Sequence, residues 1–374
     1  MDTCPTKYDT IHTSEMRREK GRKGTVRHYR EISRFFRPVQ SGANLLYEEF
    51  CFMDLDYLLL LQSFRNGIND ALTPFMEAIS LFAVTYLVIV PAFLYWCVDK
   101  RSGLFTLASY NAAVAANAVV KLSACVYRPW IRDSRIIPAG DAITTATGYS
   151  FPSGHTSTAT PIYGAMALRA WRRSRWISVL CLIAVFLTGF SRNYLGVHTP
   201  QDVLVAMIIS VIAMVSMALL FDFLEKRPEK ENYFLLGGFL LGTAALVFVT
   251  FKQYPMDYIG NRLLVDPYRM MKDGYGDIGM FMAFCLGRFI EKTWIRFQPS
   301  LTRDSLVAGL AGGVLALLII DTAGTPLRAL LGLHFGCLAE NALLMLFITA
   351  IWPAVMKAVC RNKEQPAEPA EETA

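Results

Sequence analysis

The sequence predicts an all-α, multi-pass transmembrane helix bundle. Three observations carry that prediction. The 374-residue chain is 53% hydrophobic and only 18% charged, with a mean hydropathy of +0.34, where a soluble domain carries about 25% charged residues. Long apolar runs of about the length needed to cross a bilayer recur along it. The segments between those runs alternate between Lys/Arg-rich and Lys/Arg-poor, as the two faces of a membrane require. The composition excludes a disordered chain and, lacking a Gly period, a collagen-like one. The eight Cys form no Cys-x-x-Cys pair, which argues against a zinc ribbon or redox dithiol. The net charge of +6 is modest, and no nucleic-acid partner is expected.

Nine spans are expected in chain order. Leu72–Val98 carries only Glu77. Leu104–Val120 is charge-free. Ser153–Leu168 is apolar and rich in small residues after a polar start. Trp176–Phe190, Val203–Phe221 and Phe234–Phe251 contain no charge. Ile278–Ile290, with Arg288 inside it, is the weakest. Leu306–Ile320 and Ala342–Met356 are short but extendable. Asp99–Ser102, Arg169–Arg175, Glu225–Lys230, Glu291–Arg303 and Lys357–Lys363 are the basic loops and are assigned to the cytoplasm. Loops 122–152, 191–200, 252–276 and 322–340 then lie outside, in a cell-membrane protein with its C-terminus in the cytoplasm.

The chain divides into a basic N-terminal segment 1–52, a core 53–222, additional helices 233–360 and a tail 361–374 expected to be disordered. The first segment conflicts with the sidedness. Met16–Arg37 holds nine Lys/Arg against two Glu, yet no span separates it from Leu72. Phe50–Phe64, interrupted by Asp54 and Asp56, reads as a helix in the interface. Either 1–52 is cytoplasmic and one helix assignment is wrong, or translation in the native host begins at Met53. The intact mass of the native protein distinguishes the two. No secretory leader is expected, because no apolar stretch follows the basic one.

Charged and polar residues outside the basic loops gather in three clusters. Lys121 and Arg128 stand seven residues apart, about two helical turns, so on one helix they share a face, with Pro129 ending it. Pro152-Ser153-Gly154-His155 offers an N-cap, free backbone N–H groups and a Gly that lets an anion approach. In Ser191-Arg192…His198-Thr199-Pro200-Gln201-Asp202, Thr199 caps a helix and Pro200 begins it. Asp202 serves the cap or holds one ring nitrogen of His198, leaving the other free as a nucleophile. Snorkelling cations and capped helices explain each cluster singly. The predicted sidedness puts all three on one face, where cations, imidazoles and a helix N-terminus make a site for a phosphate attacked by His198. No metal-ligand cluster lies nearby.

In this pattern the chain resembles the type 2 phosphatidic acid phosphatase superfamily, which includes bacterial lipid phosphatases, glucose-6-phosphatase and vanadium haloperoxidases. Its K-x6-R-P, P-S-G-H and S-R-x5-H-x3-D signatures match Lys121…Arg128-Pro129, Pro152–His155 and Ser191-Arg192…His198…Asp202. The resemblance covers about residues 53–222. It implies that His198 forms a phosphohistidine, that Asp202 orients it and that His155 protonates the leaving oxygen. Lys121, Arg128, Arg192, Ser153 and Gly154 would bind the phosphoryl oxygens, with neither metal nor cofactor. The expected substrate is a lipid phosphate or diphosphate: undecaprenyl diphosphate, phosphatidic acid or phosphatidylglycerophosphate. A lipid phosphotransferase and a non-catalytic transporter or scaffold are the alternatives. The nine-span count resembles glucose-6-phosphatase, but no sugar-site motif supports that substrate. Loop 252–276, with Asp257, Arg262, Asp266, Arg269 and Lys272, reads as a solvated loop or a cover over the site. His334 reads as a packing residue. Arg132 and Arg135 read as solvated charge or an extension towards a diphosphate. The sequence leaves the oligomeric state open.

Overall fold

The computed structural model describes residues 42–259 and 261–361. The basic stretch 16–37 and the tail after residue 361 lie outside the described residues. The bundle helices are α1 Gly42–Gly67, α2 Thr73–Thr85, α3 Ile89–Val98, α4 Lys100–Ala124, α5 Gly154–Ala170, α6 Arg175–Tyr194, α7 Pro200–Lys226 and α8 Glu231–Phe251. They continue with α9 Lys272–Ile290, α10 Arg303–Thr322 and α11 Leu333–Leu346. α11 runs on through a π-helical turn to Val359. Among the described residues the one strand pairing is a two-residue antiparallel hairpin, Tyr258–Ile259 with Arg262–Leu263. The fold is thus all-α, as the composition predicts.

Among the described residues six helices are long and apolar enough to cross a membrane: those containing α4, α6, α7, α8, α10 and α11. The pair α2 and α3, bent by 46° at its break, passes the same test of length and composition together, as a broken span or a re-entrant loop. The remaining two expected spans are α5 and α9, of 17 and 19 residues. Both pack inside the bundle instead of meeting the length and composition of a lone span. α5 buries ten of its residues, and α9 likewise. α4 is the central helix, in contact with α3, α5, α7, α8 and α9. One apolar core joins Leu104, Leu107 and Ala159 to Met280, Phe284 and Phe347, so the early and late helices share it.

The loops sort to the two ends of the bundle as their charge predicts. At one end Asp99 pairs with Arg169 at 2.5 Å and Arg101 with Glu225 at 2.7 Å. Lys100 pairs with Glu291 at 2.7 Å, and Lys292 donates to the Pro228 carbonyl. Lys357 donates to the Ile295 carbonyl. All five basic loops are therefore tied together. At the other end Tyr127 donates to Asp257, and His334 Nε2 lies 2.6 Å from the Tyr268 carbonyl.

α1 extends beyond the predicted Phe50–Phe64 and belongs to this second end. Leu55 and Leu58 pack on Ile136. Arg65 donates to the carbonyls of Tyr194 and Ile137 at 3.2 and 2.7 Å. Buried guanidinium groups need such partners; these bind α1 to the loop before α5 and to the end of α6.

Candidate active site

The three sequence clusters converge at this second end. Ser153, in extended conformation, caps α5, its Oγ accepting from Thr156 N. Thr199 caps α7 with Pro200 in the first turn, and its backbone N–H donates to Asp202 Oδ2 at 2.9 Å in a reciprocal capping box. The backbone N–H of Ser153 donates to the Asp202 carbonyl at 2.9 Å. That bond joins the start of α5 to the start of α7. Each helix start is fixed by its own cap and then by its neighbour.

His198 sits in the turn between α6 and α7 and is 1% exposed. Its Nδ1 lies 3.1 Å from Asp202 Oδ2, which also accepts from Ser150 Oγ at 2.5 Å. Its Nε2 lies 2.9 Å from Arg128 Nη1. A guanidinium only donates, so Nε2 accepts and Nδ1 carries the proton that goes to Asp202. Asn193 Nδ2 holds the His198 carbonyl at 2.9 Å. Burial, then Arg128, Arg192 and Lys121, push the His198 imidazole well below its usual range. The ring is neutral near pH 7. Asp202 Oδ2 meets both the capping N–H of Thr199 and the His198 ring. The other nitrogen is not free, because Arg128 occupies it.

A second expectation is corrected. Lys121 and Arg128 do not lie on one continuous helix. α4 ends at Ala124, with Cys125 left-handed at φ 50°. Arg128 is extended, and Pro129 opens a four-residue helix, Pro129–Arg132, instead of closing one. The break turns the Arg128 side chain inward, where Nε donates to the Gly148 carbonyl and Nη1 to that of Val197, at 2.9 and 3.0 Å. Lys121 remains in the last turn of α4, and a Cβ on Gly154 would stand 3.6 Å from its Nζ. That separation brings its ammonium to the N-terminus of α5.

Arg192, wholly buried, donates from Nη1 to Ser80 Oγ and Thr145 Oγ1. Its Nε and Nη2, and Nε2 of His155, are buried and have no hydrogen-bond partner among the described residues. A buried donor without a partner is costly; the two free Arg192 N–H groups, close to His155 and His198, suit an anion. Among the described residues no group of three His, Cys, Asp or Glu side chains converges as metal ligands would. Arg135, an exposed side chain, pairs with Asp133 at 2.7 Å. Arg132 stays within electrostatic reach of Asp202.

Residues 102–227 match the pattern of the PAP2 superfamily. Undecaprenyl-diphosphatase BcrC of Bacillus subtilis is 30% identical over 154 residues, 40% of this chain and 74% of that protein. The chain belongs to the PAP2 superfamily. Phosphatidylglycerophosphatase B of Bacillus subtilis is 27% identical over 154 residues, 39% of this chain and 70% of its own. The undecaprenyl-diphosphatase of Sulfolobus acidocaldarius is 30% identical over 105 residues, 28% of this chain and 48% of its own. No solved structure matches. This PAP2 protein is a membrane phosphatase, and its helices beyond residue 227 lie outside the matched pattern.

Two features of the site escaped the sequence reading. Asp54 of α1 is buried and within electrostatic reach of Asp202. Asp273, at the start of α9, accepts from Thr147 Oγ1 beside the pocket. Neither lies in a motif. Of the five charged residues of loop 252–276, read as a solvated loop or a cover, Asp257 ties the loop to Tyr127 at 2.5 Å, while Asp266 caps the short helix Pro267–Met270. The loop is therefore packed on the site end, not simply solvated. His334 is a packing residue, stacked on Tyr275 with centroids 4.6 Å apart.

Proposed function

We propose that this PAP2 phosphatase hydrolyses a lipid phosphate or diphosphate at the extracytoplasmic membrane face through a phosphohistidine on His198. The observation that carries the reading is the neutral His198, held between Asp202 and Arg128 beside the unpartnered Nε and Nη2 donors of Arg192 and the unpartnered Nε2 of His155. The catalytic groups lie within residues 53–222; the helices of 233–360 add walls to the same bundle.

The phosphoryl oxygens take the Arg192 Nε and Nη2 donors, the Lys121 ammonium and the α5 N-terminus with Ser153 and Gly154. They also draw the Arg128 guanidinium from Nε2, which exposes the lone pair. Nε2 attacks phosphorus and the bond to the leaving oxygen breaks; His155, protonated once the phosphate anion is bound beside it, gives that oxygen its proton. Asp202 stabilises the positive charge that develops on the ring. Water then attacks the phosphohistidine, His155 takes its proton, and the P–N bond electrons return to Nε2. The fixed cations stabilise charge throughout, which is most of the task in phosphoryl transfer.

The test is phosphate release by the purified protein in detergent with EDTA. The panel is undecaprenyl diphosphate, phosphatidic acid, phosphatidylglycerophosphate and glucose 6-phosphate, beside His198→Ala. Release from a lipid in EDTA, with a loss of at least about 10⁴-fold in the variant, is expected. Substantial turnover by His198→Ala removes it as nucleophile. Full loss in EDTA restored by Mg²⁺ sinks the metal-free mechanism.

A further inference from the structure

The PAP2 pattern ends at residue 227, yet a later helix returns to the phosphate pocket. Asp273 stands in the first turn of α9. Its Oδ2 accepts from Thr147 Oγ1, and a Cβ on Gly148 would lie 3.4 Å from it. Gly148 is also the residue whose carbonyl receives Arg128 Nε, and Lys121 Cδ lies 4.0 Å from the same Cβ position. Gly148 has φ +68°, a conformation that favours glycine. The bare backbone there lets Asp273, Arg128 and Lys121 crowd around one residue. Asp273 is within electrostatic reach of both cations. Asp202 reaches the same two cations, and Asp277, one turn further along α9, reaches Lys121. Arg192 is in no ion pair among the described residues. The pocket thus has an unbalanced cation on the Arg192 side and carboxylates facing the cations on the other.

We propose that Asp273 is a specificity-determining residue that fits the pocket to a single phosphoryl group, so that the enzyme cleaves lipid phosphate monoesters in preference to diphosphates. This rests on the reading of the site given above. A diphosphate brings an additional negative charge that must be placed near the same cations. With Asp273 beside them, that charge meets a carboxylate it does not meet in a pocket of cations alone. Repulsion between like charges at this range discriminates between ligands even where it adds little to affinity.

The experiment uses the full chain in detergent and a matched pair of substrates, farnesyl monophosphate and farnesyl diphosphate. The readout is the ratio of their kcat/KM values. The wild type is expected to favour the monophosphate. Asp273→Asn should raise kcat/KM for the diphosphate about tenfold relative to the monophosphate, one charge acting through a partly screened medium. Asp273→Glu should keep the wild-type ratio, and Glu229→Gln, exposed at the far end, should not move it. An unchanged ratio in a folded Asp273→Asn protein overturns the proposal, as does a wild type that favours the diphosphate. Should Asp273→Asn fail to fold, the wild type still gives a reading. Orthophosphate must inhibit more tightly than pyrophosphate, and equal or tighter inhibition by pyrophosphate overturns the inference. If the wild type turns over neither ester, the proposed function fails instead. Thermal stabilisation by orthophosphate against pyrophosphate then tests the pocket's charge balance without turnover.

Discussion

At the basic-loop end of the bundle, Glu291 has no exposed surface and is shared by Lys100 and Arg288, while Glu231 binds Arg288 at 2.8 Å and Lys292 at 2.9 Å. At the opposite end Arg192 is equally buried, and its partners are two hydroxyls, with Nε and Nη2 left over. The first end buries a carboxylate among partly exposed cations, and the second buries a cation without a carboxylate. Where carboxylates answer them, the charges cross-link α4, α8 and α9 and hold the fold. Where they do not, desolvation is left uncompensated until an anion arrives. Charge of one sign without its counter-charge therefore marks the binding site better than burial does.

Substitution at each end should separate the two uses. Arg192→Ala should lower kcat/KM by about 10³-fold, roughly 4 kcal/mol of transition-state stabilisation, and leave thermal stability unchanged or raised. A comparable loss of stability would place Arg192 with the structural charges. Glu291→Gln should do the reverse. It keeps the shape that accepts from Phe297 N but leaves Lys100 and Arg288 underpaired, at a cost of about 3 kcal/mol. Thermal denaturation in detergent measures it, and turnover per folded molecule should be retained. A variant that stays fully stable would mean the pairs contribute no more than exposed ones do.

The helical class and the gathering of the basic loops at one end of the bundle were legible because hydropathy and loop charge are local properties. Asp99–Ser102, Arg169, Glu225 and Lys357 declared their end of the bundle without any tertiary contact being known. The motifs likewise showed His198 with Asp202 and Ser153 with the start of α5, where capping chemistry within four residues fixes the geometry. Arg128 was placed on the wrong element, because the left-handed turn at Cys125 ends α4 with no Gly or Pro to mark it. Asp273 and Asp54 were missed for a different reason. Their importance comes from α9 and α1 docking beside a pocket formed by residues 121–202, and no local spacing records that. Arg262 and Arg269, which share loop 252–276 with Asp257, looked no different from it in sequence.

Asp54 sharpens the comparison from the acid side, with the smallest expected effect. It lies on α1 at the site end and is buried as Glu291 is, but its Oδ2 has no hydrogen-bond partner among the described residues. Burial, and then the Asp202 carboxylate, push the Asp54 carboxyl up to about 6, against a smaller opposing pull from Arg132. The folded state therefore binds the proton more tightly than the unfolded chain does. The stability this group contributes is complete below about pH 4. It is lost as pH rises to about 6, by at most about 3 kcal/mol. Asp54→Asn mimics the protonated form at every pH. Its Tm in detergent should equal that of the wild type near pH 4 and exceed it increasingly up to about pH 6, then by a constant margin. A margin that moves the other way, with the wild type gaining on Asp54→Asn as pH rises, would show that Asp54 shares its charge with a cation as Glu291 does, and the two ends would be less distinct than their geometry implies.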